Sequence, residues 1–259
     1  MYKRQIIPAY NEEKNISKVL DRLEQPEIAE FADILVMNDA SSDNTNWIVK
    51  ARHHAVVTHV FNLGYGSALQ LGYKYAIRCN YRYVIQMDAD GQHDAGNLIN
   101  LYRALKTPDE NGVYPDIVLG SRYLNDSPYF ETSALKRFAF FLFRHIIKWS
   151  TGRTIMDPTT GLQGLSRRAA LCYSKFGNFD EKYPDANMIT NMLLSDFNIV
   201  EIPAAMHLRE HGKSMHSGLK PIGYMFHMFF SILAVLIRQK IFKNVPKAER
   251  YNNDIQKTQ

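Results

Sequence analysis

The chain of 259 residues is poor in cysteine, with Cys79 and Cys172 alone. Two thiols build neither a disulfide framework nor a cysteine-based zinc site, and they fit a reducing compartment. No apolar core of signal-peptide length precedes the polar opening MYKRQIIPAYNEE, so export is not expected. Long apolar runs are lacking too. Residues 222–237 carry no charge apart from His227, but at about 1.5 Å per residue they reach roughly 24 Å. A bilayer core is about 30 Å thick, so this segment is expected to lie in the interface or against membrane partners. Gly64, Gly66 and Gly72 permit close backbone approach, yet Leu69 breaks any G-x-G-x-x-G pattern. That disfavours a dinucleotide-binding dehydrogenase. His53, His54 and His59 have no acid or cysteine at metal-ligand spacing and read as surface or core histidines. There is no internal repeat and no low-complexity segment.

What is present describes a folded protein of one or two domains. Hydrophobic residues make up 46% and charged residues 22%, which excludes disorder, collagen and coiled coil. The net charge of +5 is unevenly placed. Residues 134–153 hold Lys136, Arg137, Arg144, Lys148 and Arg153 and no acid. Residues 205–250 hold eight Lys or Arg against two acids, which leaves the rest acidic. Two basic, apolar segments on an acidic body point to a localised anionic partner and away from nucleic acid.

Strand-like and helix-like patterns alternate through the first 120 residues. Arg4–Ile7, Ile34–Met37, Val56–Val60, Tyr83–Met87 and Asp116–Leu119 read as extended. Glu13–Leu23, Thr45–Arg52, Ser67–Arg78 and Asn97–Leu105 read as helical. This alternation predicts an α/β fold with a mostly parallel sheet covered on both faces. In such sheets ligands bind outside the carboxyl ends of the strands.

The residues after three of these strands are polar and acidic. They are Pro8-Ala9-Tyr10-Asn11-Glu12-Glu13, Asn38-Asp39-Ala40-Ser41-Ser42-Asp43 and Asp88-Ala89-Asp90-Gly91-Gln92. If the strands are neighbours, these tips converge. Carboxylates gathered at one edge repel unless a cation or hydrogen-bond donors join them. Asp88 and Asp90, with Gln92 beside them, supply hard oxygens suited to Mg²⁺ or Mn²⁺, and substrate phosphates would complete the shell. Asp39, Ser41 and Asp43 fit equally well as turn and helix-capping residues.

The segments IIPAYNEEKNI, VMNDASSDNT, NLGYGSALQLGY, IQMDADGQHD, LGSRY, MDPTTGLQGLSRRA and KYPDANM resemble family-two glycosyltransferases, in the branch of dolichol-phosphate-mannose-synthase-like enzymes. The resemblance spans roughly residues 4–240. It implies a GT-A fold, a nucleotide-diphosphate sugar as donor, a divalent metal and inversion at the anomeric carbon. It further implies that Pro8, Ala9, Tyr10 and Glu12 contact base and ribose, and that Met37 and Asp39 flank the base. Asp88 and Ala89 would line the nucleotide, with Gly66 allowing close approach. Asp88, Asp90 and Gln92 would hold the metal, and Arg122 would face the phosphates or the acceptor.

On the acceptor side, transfer to a hydroxyl requires a carboxylate to take its proton. Asp185 of Lys182-Tyr183-Pro184-Asp185 is the candidate; its alternative is a helix N-cap before Ala186–Leu194. A lipid phosphate is already ionised near neutral pH and needs cations more than a base. Arg209 matches the family's loop over the donor phosphates. A lysine expected six residues later is replaced by Met215, so Lys213 and His216 are the nearest substitutes. Asp157 in Met156-Asp157-Pro158-Thr159-Thr160-Gly161 fits either an acceptor-side segment or an ordinary turn.

Leu135–Trp149 places Leu135, Phe138, Ala139, Leu142, Ile146 and Trp149 on one helical face and Arg137, Arg144 and Lys148 on another. An aromatic-rich face beside cations describes an interfacial helix. The expected organisation is a catalytic domain over 1–220, with this helix at about 134–150, a membrane-associated helix at 221–246, and a frayed polar tail from 247 to 259. The function expected is transfer of a sugar to a polyprenyl phosphate or lipid-linked glycan on the cytoplasmic side of an anionic membrane. An integral membrane partner or a second copy could share that surface. The alternatives are a nucleotidyltransferase and a non-catalytic nucleotide-binding membrane scaffold.

Overall fold

A computed structural model describes residues 3–30, 32–124, 126–127, 134–207, 220–241 and 247–256. The chain runs β1 (Lys3–Ala9), α1 (Glu13–Leu23), α2 (Pro26–Ala29), β2 (Asp33–Asn38), α3 (Thr45–Ala51), β3 (Ala55–Thr58), α4 (Tyr65–Arg78), β4 (Tyr83–Gln86) and α5 (Gly96–Leu105). It continues through β5 (Ile117–Ser121), α6 (Ala134–Thr151), β6 (Gln163–Ser166), α7 (Arg167–Ser174), α8 (Ala186–Leu194), β7 (Ile199–Pro203), α9 (Lys220–Ile241) and α10 (Ala248–Gln256).

Seven strands form one sheet in the order β3-β2-β1-β4-β6-β5-β7. β1 pairs in parallel with β2 and β4, β2 with β3, and β5 with β7. β6 runs antiparallel to both β4 and β5. The alternation along β1 explains the two covered faces. Ile6 joins one core with Leu35, Leu69 and Tyr73, and Ile7 joins the other with Ile16, Leu20, Val36 and Leu101. On the second face α1 turns Ile16, Val19, Leu20 and Leu23 inward at helical spacing, and all four are buried. At Gly72 of α4 a Cβ would come 2.6 Å from Cγ2 of Ile6, so glycine is what lets this helix lie close on β1.

Two elements differ from the sequence reading. Of the tail expected to be frayed, Ala248–Gln256 form α10, and residues 257–259 lie outside the described residues. α10 buries Ala248 and Tyr251, and Nδ2 of Asn178 donates to the Tyr251 hydroxyl at 2.8 Å. Composition concealed this because the contact rests on Ala248 and Tyr251, one turn apart in a polar stretch. In α6 the inward residues are Ala139, Phe143 and Ile147, whereas Phe138 and Trp149 stand exposed with Phe141. Phe138 and Trp149, expected on an interfacial face, are thus left outside, and the core takes a second apolar face built on Phe143.

No described helix is long and apolar enough to cross a membrane.

Candidate active site

Because β2, β1 and β4 are adjacent and parallel, the three acidic tips do meet at one edge of the sheet. Asp43 and Ser41 knit two of them together. The Asp43 carboxylate accepts from the backbone N–H groups of Thr45 and Glu13 at 2.9 and 3.0 Å, and Ser41 Oγ accepts from the Asn11 N–H at 3.0 Å. Burial opposes the Asp43 charge, but the Thr45 and Glu13 bonds more than offset it and lower its pKa. For these two residues the turn-and-cap reading is the one realised.

Asp39 is 3% exposed and organises the next loop. Its carboxylate accepts from the N–H groups of Leu63 and Gly64 at 2.9 and 2.8 Å, and it meets Nδ1 of His59 at 2.7 Å. His59, read as a surface or core histidine, thus has an acidic partner 20 residues away, at no metal-ligand spacing. His54 likewise pairs with Glu24 at 2.7 Å. Pro8 and Ala9 are buried at the end of β1, and the Tyr10 ring stands 49% exposed just beyond it. The Glu12 side chain accepts from Asn15 at 2.7 Å. Met37, expected beside the base, is 1% exposed, and its side chain belongs to the core against Gly72. At Gly66 a Cβ would come 2.1 Å from the carbonyl oxygen of Asp180. The close approach that glycine permits is thus made by the 180–181 backbone, which also accepts from the Ser67 N–H at 3.1 Å.

Asp88, Ala89, Asp90 and Gln92 follow β4 in one turn. Asp90 Oδ1 accepts from the Gln92 N–H at 3.0 Å. Asp88 is steadied from both sides. Tyr65 donates to Oδ1 at 2.7 Å, and Nε2 of the buried His93 lies 3.3 Å from Oδ2. Tyr65 is itself held by Gln86 Nε2 at 3.2 Å, and Gln86 Oε1 accepts from Tyr73. Burial, reinforced by the Asp88 charge, drives the Tyr65 pKa well up, so the phenol remains a donor. Gly161 leaves room for Asp88, since a Cβ there would sit 2.4 Å from Oδ2. Neither Tyr65 nor His93 was assigned a role from the sequence.

The donor set fits a hard divalent cation that arrives with its substrate. Two carboxylates and one amide oxygen share a turn, and among the described residues no three acidic, histidine or cysteine groups form a closed cage. Mg²⁺ and Mn²⁺ suit such half-built oxygen sites, because phosphates and water fill the remaining positions.

Arg122 is where the expectation changes most. Its backbone N–H and Nε donate to Asp157 Oδ2 at 3.0 and 2.7 Å, and Nη2 donates to Oδ1 at 2.7 Å and to Thr159 Oγ1 at 3.1 Å. Asp157 is fully buried, and its backbone N–H is held by Glu201 of β7 at 2.8 Å. Burial works against the guanidinium charge, but Asp157 more than offsets it and raises the Arg122 pKa. Asp157 is therefore no ordinary turn residue. Arg122 uses its fork to fix the 157–159 loop and contributes its charge to the pocket from there.

Asp185 lies at the start of α8 but does not cap it: no side-chain cap bond forms. Instead Oδ2 accepts from the Tyr224 hydroxyl of α9 at 2.8 Å. Burial pushes its pKa up to about 7, the Asp88 charge adds to this, and Tyr224 and Arg122 oppose it. The charges of Asp88 and Arg122 thus both reach Asp185. Arg209, Lys213 and His216 lie outside the described residues.

A switch-point cleft in a mostly parallel sheet, with an Asp-x-Asp turn at its centre, is the arrangement of a GT-A nucleotide-sugar transferase. Residues 5–173 match glycosyl transferase family 2, and the chain belongs to that family. It is a glycosyltransferase, which removes the nucleotidyltransferase and scaffold readings. An uncharacterised protein of Methanocaldococcus jannaschii is 28% identical over 92% of this chain and 91% of its own length. The UDP-N-acetylglucosamine–dolichyl-phosphate N-acetylglucosaminyltransferase of Methanococcus voltae is 26% identical over 63% of this chain and 69% of that one. Among solved structures, glucosyl-3-phosphoglycerate synthase from Mycobacterium tuberculosis, in complex with Mn²⁺, UDP-glucose and glycerol 3-phosphate, superposes with a TM-score of 0.60. That match has 20% identity and covers 92% of this chain and 79% of that one.

Proposed function

We propose that the enzyme transfers a sugar from a nucleotide-diphosphate sugar to a polyprenyl phosphate at a membrane surface, with a divalent cation and with inversion. The observation that carries this reading is the meeting of the Asp88–Gln92 turn with a buried, singly anchored carboxylate, Asp185, in one cleft. The relative from Methanococcus voltae, whose name gives it a UDP-sugar and a dolichyl phosphate, supports the donor and acceptor classes.

Asp88, Asp90 and Gln92 would hold the cation. A cation held there would supply positive charge against the charge that develops on the leaving diphosphate as the glycosidic bond breaks. Tyr65 and His93 fix the Asp88 carboxylate, so its orientation needs no adjustment during the reaction. Tyr10 offers an exposed ring face to a base, and Asp39 holds the 59–64 loop beside it. Arg122, locked by Asp157, keeps positive charge in the cleft while leaving the loop rigid. A phosphate monoester carries at most one proton near its second pKa of about 6. Near neutral pH the phosphate is therefore mostly ionised and attacks the sugar without a base; Asp185 would orient it and take up any proton that remains.

The lipid surface is met by α6 and α9. Arg137 and Lys148 flank exposed Phe138, Phe141 and Trp149 on α6. On α9, Phe226, Phe229, Phe230, Leu233 and Ile237 form an exposed apolar stripe. Cations beside aromatics suit an anionic headgroup layer.

A panel of nucleotide sugars, assayed with Mn²⁺ and polyprenyl phosphate, tests the reading. One donor should release its nucleoside diphosphate faster when the lipid is added. A panel in which no donor responds to the lipid contradicts the acceptor assignment.

A further inference from the structure

The inner face of α9 carries a polar stripe that the sequence hid inside an apolar run. Tyr224, His227 and Ser231 follow one another at helical spacing, and all three face the segment that delivers Asp185. Ser231 Oγ lies 2.8 Å from Nδ2 of Asn187 and 3.3 Å from Oδ2 of Asp180. The His227 ring packs edge-on against Tyr183 at 5.2 Å, with Nε2 3.8 Å from the Asp180 carboxylate. Further along, Arg238 donates to the carbonyl of Gly177 and to Asn191 at 3.2 and 3.1 Å. The outer face of the same helix is the apolar stripe of Phe226, Phe229, Phe230, Leu233 and Ile237.

Within this stripe Tyr224 is the residue that reaches the cleft. Its ring is wedged against Tyr183 at 5.3 Å and Phe143 at 6.5 Å, both edge-on. The phenol therefore has little freedom to turn away from Asp185 Oδ2. Among the described residues none donates to the other oxygen, Oδ1. One oxygen is clamped and the other is left for a ligand. A carboxylate held this way presents a fixed lone pair, which is what a proton acceptor or a substrate-orienting group requires.

We infer that Tyr224 is a positioning residue: it sets the Asp185 carboxylate for the acceptor, and so ties the transfer step to the helix that carries the lipid-facing surface. This rests on the proposed function. Tyr224→Phe keeps the ring in place and removes the hydrogen bond to Asp185.

The test compares Tyr224→Phe, Asp185→Asn and the double variant in the full-length enzyme, using polyprenyl phosphate in anionic vesicles and a saturating nucleotide sugar. Tyr224→Phe keeps the ring packing and loses the donor. It should lower kcat for transfer about three- to tenfold, the scale of one ordinary hydrogen bond, and leave donor affinity within about twofold. On the Asp185→Asn background the same change should cost less than about twofold, because its effect has already been removed. Ser231→Ala loosens the same helix without touching Asp185 and should leave kcat within about twofold of wild type. Equal losses from Tyr224→Phe with and without Asp185 overturn the inference, as does a matching loss from Ser231→Ala. Wild-type enzyme that transfers normally alongside an unaffected Tyr224→Phe defeats the positioning role while the function stands. Wild-type enzyme inactive toward the lipid phosphate defeats the function, and the inference with it.

Discussion

At the scale of single residues, the cleft is built from pairs in which a residue with a proposed role in the chemistry is held still by another. Asp88 has Tyr65 and His93, Asp39 has the Leu63 and Gly64 amides, and Asp185 has Tyr224. The raised pKa of Asp185 makes a stability prediction with a definite sign. An unfolded aspartate titrates near 3.9, and the folded one near about 7. Between those values the folded protein holds a proton that unfolding releases. Stability should therefore fall as pH rises through that window and level off above it. Asp185→Asn cannot titrate and should escape this fall. Its melting temperature relative to wild type should rise between pH 5 and pH 8; an offset that stays constant with pH would show that Asp185 is not held in its protonated form. The proposed metal-holding residues stood out in the sequence because Asp88, Asp90 and Gln92 sit within one turn. The holding partners did not. Tyr224 is 39 residues from Asp185, and Asp157 is 35 from Arg122, and no periodicity links residues so far apart.

At the scale of elements, helix patterns were read well where one face is buried and poorly where two faces are apolar. α1 matches its expected limits at Glu13–Leu23 because a single stripe faces the core. In α6 the core and the exposed face compete for aromatics, and the sequence does not say which wins. α9 poses the same problem with a further consequence. Met228, Ile232 and Leu236 are buried in the main core, so deleting the helix would unfold the protein and reveal nothing about membranes. Substitution on its outer face is the informative change. Phe226→Ser with Phe230→Ser removes two exposed rings and no core contact. The pair should reduce co-sedimentation with anionic vesicles at least about tenfold, since each ring contributes on the order of 1–2 kcal/mol at an interface. The melting temperature should stay within about 2 °C, as for most surface changes. Unchanged sedimentation would transfer the lipid contact to α6 or to another protein.

At the scale of the whole molecule, the alternation of strands and helices was enough to foresee a mostly parallel sheet, and the neighbouring of β2, β1 and β4 brought the three acidic tips together as their composition suggested. The antiparallel β6 was not foreseen. Gln163–Ser166 is too short, and too polar at both ends, to stand out as a strand, yet its insertion between β4 and β5 brings the 157–161 loop beside Asp88. Gly161 beside Asp88 and Asp157 beneath Arg122 both depend on it. The molecule thus gathers the edge proposed to face the nucleotide, the carboxylate proposed for the acceptor and an exposed apolar surface on one framework.

The most direct measurement uses a donor labelled in its sugar, with polyprenyl phosphate and Mn²⁺, and follows label extracted into organic solvent. Wild-type enzyme should produce a lipid-linked sugar, and both chelation of the metal and Asp90→Asn should lower the rate by at least about a hundredfold, the scale of losing electrostatic stabilisation at a leaving group. Label that reaches the lipid at an undiminished rate in Asp90→Asn, or in the presence of chelator, would contradict the metal-assisted transfer proposed for this cleft.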